Sequence, residues 1–278
     1  MKLSVILLAK TDSESLFQMT MTCISSMLAS EKEVTSEIII IESNKNYLHS
    51  QFRYPDFIKV IIPDAAFNFH HFLNIGIQAS TGDFIALCNN DLIFHQNWFS
   101  EILKVSQKNP NILSFSPSGT ICTPSQKDTF LIGYRVMIHV KGWCIVVKKE
   151  IFNKIGLLDE TFDFYYADND YAMTLKYHSI KHALVYNSYV EHLEKKSTVI
   201  EKTDNREQEF VKKYQIPEYL KKERYNWVFE SEKYLSAIIK YHNKWGNPDF
   251  LYRKNKLADI FYANNLGYFV KFFIKIKL

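Results

Sequence analysis

Three short stretches of the sequence carry side chains whose types and spacing can do chemistry. The first is Phe84-Ile85-Ala86-Leu87-Cys88-Asn89-Asn90-Asp91, an apolar run that delivers two amides and then a carboxylate. A carboxylate at the carboxyl end of a buried strand can ligate a hard divalent cation, and such a cation can neutralise a diphosphate. Asn, Asn and Asp are also turn formers, so a plain turn competes with that reading. The second is Asp168, in Tyr165-Tyr166-Ala167-Asp168-Asn169-Asp170-Tyr171, just ahead of a helical pattern over 171–178. A carboxylate there serves as base or ligand, or else as a helix N-cap. The third is His192, which follows a strand-like run and reads either as a metal ligand or as a structural histidine. His70, His71 and His178 have no partners at ligand spacing and read as packing or surface residues.

These residues need a frame. Apolar, β-branched runs at 3–8, 37–42, 58–62 and 84–88 read as strands covered on both faces. Between them, 13–30 and 70–80 read as helices, the first capped by Ser13 or Asp12. This β-α-β-β-α-β order predicts an open α/β sheet of the nucleotide-binding type, with ligands beyond the carboxyl ends of the strands. Residues 98–109 read as a helix ended by Pro110, and the Ser-, Thr- and Pro-rich stretch 111–128 as loop. A strand at 142–147, a short helix at 148–155 closed by Gly156, and a late strand at 183–186 follow. From about residue 197 the pattern becomes helical, charged and aromatic, as in 207–214 and 219–241. There are no internal repeats and no low-complexity segments.

The chain has 278 residues and 47% hydrophobic content, enough for a sizeable core and too apolar for a disordered chain. Its net charge of +4 is too mild to argue for nucleic acid, which is not expected as a partner. The first apolar run is short and lacks a small-residue cleavage site, so it reads as a strand rather than a signal peptide. No run reaches the ~18 to 20 apolar residues that span a bilayer. Cys23, Cys88, Cys122 and Cys144 form no CxxC pair, and most have apolar neighbours, as expected of reduced packing residues in a cytoplasmic protein. After Leu251 the only acid is Asp259, while lysines alternate with aromatic and aliphatic residues to Leu278. That tail reads either as attachment to the anionic inner face of the cell membrane, worth ~1 kcal/mol per basic residue, or as a terminal element docked on the core.

Taken in order, the motifs resemble inverting family 2 glycosyltransferases of the GT-A fold, in the rhamnosyltransferase-like branch that builds surface polysaccharides. Asn74-Ile75-Gly76 with Thr81-Gly82-Asp83 and the run to Asp91 is similar to that family's "N-x-G … G-D-(apolar strand)-N-N-D". Gly142, Gly156-Leu157-Leu158-Asp159-Glu160 and Asp168-Asn169-Asp170 are similar to its "G-G-F-D-E … E-D-x-D", and a strand ending in His192 completes the set. The resemblance implies a Rossmann-like, mostly parallel sheet flanked by helices over residues 1–195, and a helical, basic-aromatic region over 196–278. It implies Asp91 and His192 as ligands of Mn²⁺ or Mg²⁺, and Asp168 as the base that deprotonates the acceptor hydroxyl. Thr11, Glu42, Asn74, Asn89 and Asn90 are implied around the donor nucleotide, and Trp143 and Asp170 beside the acceptor. The implied reaction moves a sugar from a UDP- or dTDP-sugar to a surface-polysaccharide or lipid-linked glycan, peripherally at the inner membrane face.

This sequence departs from the pattern at three places. Glu42 stands where Asp is usual, Ala167 replaces the Glu of the "E-D" pair, and Thr174 or Leu175 stands where Arg is common. A degenerate GT-A protein that binds nucleotide-sugar or glycan without turnover is therefore the non-enzyme alternative. A sugar-phosphate nucleotidyltransferase is the other, disfavoured because Ala9-Lys10-Thr11-Asp12-Ser13 is no Gly-rich signature.

Overall fold

The computed structural model describes residues 1–120, 129–193, 210, 213–222, 228–229, 231–270 and 272. Cys122, most of the 207–214 pattern and most of the chain after Val270 lie outside the described residues.

The first half builds strands β1 (Lys2–Ala9), β2 (Thr35–Glu42), β3 (Lys59–Ile61) and β4 (Phe84–Asn89). Helix α1 (Glu14–Ser30) joins β1 to β2, and α2 (Phe69–Ala79) joins β3 to β4. Ser13 caps α1, its hydroxyl accepting the Leu16 amide, as the sequence predicts. The second half adds β5 (Leu92–Phe94), α3 (Trp98–Lys108), β6 (Ile112–Ser118), β7 (Phe130–Ile132) and β8 (Cys144–Lys148). After these come α4 (Phe152–Ile155), α5 (Ala167–Tyr177) and β9 (Lys181–His192). Helices α6 (Glu232–Trp245) and α7 (Pro248–Ala263) lie in the C-terminal region.

The nine strands form one sheet in the order β3-β2-β1-β4-β8-β6-β9-β5, with β7 also on β9. Strands β1 to β4 pair in parallel; β8 is antiparallel to β4 and β6, and β9 is antiparallel to β5 and β7. The sheet is thus parallel in its first half and mixed beyond it. Its strands read as continuous apolar runs because both faces are covered. Val5 and Leu7 face the layer of α1 and α3, while Ile6 and Leu8 face the layer of α2 and α5. Gly76 of α2 permits this closeness: a Cβ there would lie 2.5 Å from Ile6 Cγ2.

Strand β6 lies in the stretch that reads as loop. Its serines are buried and bonded: Ser114 meets the Tyr171 hydroxyl at 2.7 Å and His182 Nδ1 at 2.8 Å, and Ser116 Oγ accepts the Lys141 amide. A central strand can hold serines when each hydroxyl finds a partner, which composition alone does not reveal. Helix α5 begins at Ala167 rather than at 171, and β9 runs from 181 to 192 rather than over 183–186. Among the described residues no helix is long and apolar enough to cross a membrane.

Candidate active site

The chemistry-bearing residues collect at the carboxyl edge of the sheet. Strand β4 ends in Asn89, and the chain turns through Asn90 and Asp91 into β5. Strand β5 pairs antiparallel with the last residues of β9, placing Leu92 opposite His192. That register sets His192 Nε2 3.3 Å from Asp91 Oδ2, and the Leu193 amide donates to the Asp91 carbonyl at 3.0 Å. The other carboxylate oxygen, Asp91 Oδ1, is buried with no hydrogen-bond partner. A buried carboxylate oxygen is rarely left unpaired, and a cation is one partner that would satisfy it. An oxygen and an imidazole nitrogen suit Mn²⁺ or Mg²⁺ with further oxygen ligands. Among the described residues no group of three or more His, Cys, Asp and Glu is arranged to hold a metal, so the chain offers a pair of donors here.

His192 and Asn89 open onto a cavity of about 850 Å³, whose wall also carries Gly142, Trp143, Asp168 and Tyr234. Trp143 stacks on His192 with ring centres 5.6 Å apart, and its carbonyl accepts the Asn89 amide. Asp168 lies in the first turn of α5, where a carboxylate suits the positive end of the helix dipole. It is not the N-cap: Tyr166 occupies that position, in the left-handed region at φ 63°. One Asp168 oxygen accepts the Asn169 amide at 2.8 Å. Burial holds the carboxyl above the ordinary aspartate value, the direction a general base needs to work near neutral pH. Gly142 makes room for it, since a Cβ there would stand 3.0 Å from Asp168 Oδ2.

The remaining sequence-predicted residues have other surroundings. Asn90 donates to Thr20 Oγ1 of α1 at 2.9 Å. Thr11 and Glu42 are fully buried: Glu42 accepts the Thr11 amide, the Thr11 hydroxyl and the Asn44 amide, tying the ends of β1 and β2 together. Tyr54 completes this knot at 2.6 Å from Thr11 Oγ1. Asn74 is buried in α2 and pairs with the Leu158 amide and carbonyl and with Glu160, pinning the segment that leads into α5. Asp170 faces away from the 850 Å³ cavity, into a second one of about 350 Å³. There Lys244 of α6 bridges Asp170 and Asp159 at 2.7 Å each, and the Trp245 indole donates to Asp170. Burial nevertheless raises the Asp170 carboxyl above its usual value, outweighing these partners. Ala167, where the family pattern has Glu, is buried between α5 and the C-terminal helices. His70 is buried and bonded to the Asp159 carbonyl, a packing role as expected.

Sequence reasoning missed Tyr165 and Tyr234. Their rings stack with centres 3.7 Å apart on the cavity wall, Tyr234 arriving from α6. Nothing local in the sequence links them; only the crowding of tyrosines around 165 is visible beforehand.

With this arrangement in view, the fold can be compared with solved structures. It is similar to GalNAc-T7 crystallised with UDP, GalNAc and Mn²⁺, at a TM-score of 0.57 and 16% identity, covering 69% of this chain and 43% of that one. It is also similar to S. aureus TarS, at a TM-score of 0.51 and 11% identity, covering 68% and 36% respectively. The chain therefore spans less than half the length of either structure. Both likenesses are of fold, and they place the α/β sheet with its flanking helices in the GT-A class. Among curated proteins none matches the sequence. The model of Glycosyl transferase family 2 matches residues 16–156, just over half of the chain. The chain belongs to that family, a family of glycosyltransferases.

Proposed function

We propose that the chain transfers a hexosyl or deoxyhexosyl group from a UDP- or dTDP-sugar to a hydroxyl of a surface-polysaccharide or lipid-linked glycan, with inversion at the anomeric carbon. The observation that carries this reading is the single cavity flanked by both halves of the chemistry. Asp168, a half-buried carboxylate held above its ordinary pKa, and His192 of the Asp91 pair both line it. Asp168 accepts the acceptor hydroxyl's proton as that oxygen attacks the anomeric carbon, on the face opposite the departing diphosphate. A single displacement inverts the centre and needs no covalent sugar–enzyme intermediate. Asp91 and His192 would hold Mn²⁺ or Mg²⁺, which when bound offsets the negative charge of the diphosphate. Asn89 is positioned to hydrogen-bond the donor, and the faces of Trp143 and Tyr165 suit the apolar face of a sugar ring. Thr11, Glu42 and Asn74 act from beneath, fixing the strand ends and the loop before α5.

In this reading residues 1–195 are the catalytic unit and 196–278 a helical extension that helps close the cavity through Tyr234. The enzyme works in the cytoplasm, at the inner face of the cell membrane, on an acceptor of the kind the rhamnosyltransferase-like branch uses.

A thermal-shift panel of UDP, dTDP, GDP and CMP, each with and without Mn²⁺, tests the donor site in wild type and Asp91→Asn. A ligand at ~100 times its Kd adds ~2.7 kcal/mol of stability. Stabilisation by one diphosphate that requires Mn²⁺ and disappears in Asp91→Asn is the expected result. No shift with any nucleotide would sink the donor-site assignment.

A further inference from the structure

Helix α7 exposes the kind of residues a soluble helix normally hides. Leu251, Lys254 and Ala258 are buried against the protein, and Tyr262 packs on Tyr134 with ring centres 4.8 Å apart. The opposite face carries Tyr252, Arg253, Lys256, Leu257 and Ile260, all exposed, with Tyr252 at 71%. At about 100° per residue these five fall within an arc of about 140°, one continuous stripe. Beyond the helix Leu266, Tyr268, Phe269 and Phe272 are exposed as well, Tyr268 at 74%. The five exposed stripe residues include two cations and no acid. Asp259 pairs with the Lys176 ammonium at 3.4 Å, whereas Asp249, in the first turn, falls inside the same arc by helical position, so the stripe and its first turn together carry two cations and one acid. In sequence the chain continues through Lys271, Lys275 and Lys277.

We infer that the outer stripe of α7, with the exposed aromatics after it, docks on an anionic lipid surface. Tyr, Leu and Ile interleaved with Arg and Lys match the boundary between acyl chains and phosphate headgroups. There the rings and aliphatic side chains leave water while the cations meet lipid phosphates. A second copy of the chain fits less well, because pairing two such stripes gathers four cations, Arg253 and Lys256 of each copy, in one interface. On the protein-facing side of α7, Tyr262 touches Tyr134, which precedes a turn that exposes Met137 at 77% and Ile138, and Met137 lines the cavity. A lipid-linked acceptor for the cavity rests on the proposed transfer reaction, whereas the docking does not.

The test is co-sedimentation of the full chain with vesicles of phosphatidylcholine, with and without phosphatidylglycerol. Wild type should pellet with the anionic vesicles only, and less so as salt is raised. Leu257→Glu with Ile260→Glu should leave the protein in the supernatant. Arg253→Gln with Lys256→Gln should lower the partition coefficient about thirtyfold, at ~1 kcal/mol per cation. Phe57→Glu, an exposed aromatic beside the opposite edge of the sheet, should pellet as wild type does. Wild type remaining in the supernatant, or stripe variants pelleting as wild type does, would overturn the docking. So would a dimer in sedimentation equilibrium that the Leu257→Glu, Ile260→Glu variant abolishes. The nucleotide-dependent thermal shift is read on the same variants. Its absence alongside intact vesicle binding would strike the donor reading and leave the docking standing. Point substitutions are preferable to removing everything after Leu257, because that truncation also strips Ala258 and Val270 from a buried cluster.

Discussion

Burial lifts the Asp168 carboxyl above the ordinary aspartate range, and this acts on rate and on stability in opposite directions. Transfer needs the ionised base, so its rate should fall on acidification through a pKa above the ~3.9 of a free aspartate. Stability runs the other way. The folded state binds the proton more tightly than the unfolded chain, so stability is full below the unfolded pKa. It declines as pH rises through the window up to the folded value. Asp168→Asn removes both effects: transfer should drop ~10²- to 10⁴-fold, while the neutral-pH melting temperature rises above wild type. Rate assays across pH, paired with melts at neutral and acid pH, check this; a variant less stable than wild type at neutral pH would contradict it. At this scale, order and spacing along one chain were enough to single out Asn89, Asp168 and His192, which the fold brings to one cavity, and Asp91, which pairs with His192. It was silent on the Tyr165–Tyr234 stack, because two rings from distant segments leave no periodic trace. It also could not tell a residue on the cavity wall from one bonded elsewhere, as with Thr11 and Glu42, buried against each other, and Asn90, bonded to Thr20.

Strands β1, β2 and β4 and helices α1 and α2 were legible because a doubly covered parallel sheet demands long apolar runs. Strand β6 was not, since Ser114, Ser116 and Pro117 mimic a loop until Tyr171, His182 and Lys141 are seen to satisfy the serines. Strand β5 has only three residues, too few for periodicity to register, yet it carries the register that brings Asp91 to His192. The close approach of β8 and α5 depends on Gly142. Gly142→Ala would press its methyl on Asp168 at 3.0 Å and force the carboxyl to give by a few tenths of an ångström. In the proposed reaction, transfer should fall about tenfold or more with the Mn²⁺-dependent nucleotide shift intact, because Asp168 is its base and lies outside its donor site. Steady-state rates beside the thermal-shift panel separate the two.

At the scale of the whole molecule, the C-terminal helices are held by the same helix turn that carries Asp168, the proposed base. Asp168 faces the cavity, while Asp170, two residues on, receives Lys244 and the Trp245 indole from α6. The apolar cluster of Phe162, Met173, Tyr241, Leu251 and Ala258 seals the contact. Asp170→Ala leaves the half-buried Trp245 indole N–H without its acceptor and Lys244 with one carboxylate instead of two. The expected loss is ~1 to 3 kcal/mol, read from urea unfolding, with the nucleotide shift preserved. The sequence showed a change of character near residue 197 but not this attachment, because the partners lie on elements separated by β9 and the C-terminal segment.

The pairing of β5 with β9 joins residues a hundred positions apart through a strand of three residues at the edge of the sheet. Such a contact can open locally without disturbing β1 or β4. Each opening would part Asp91 from His192 while Asp168 stayed in place on α5, so in the proposed reaction holding the donor and taking the proton would be separate equilibria. Asp91 and His192, on the two paired strands, would hold a cation, and holding it would favour the closed pairing of β5 with β9. Release of the spent nucleotide would then be timed by the breathing of three residues.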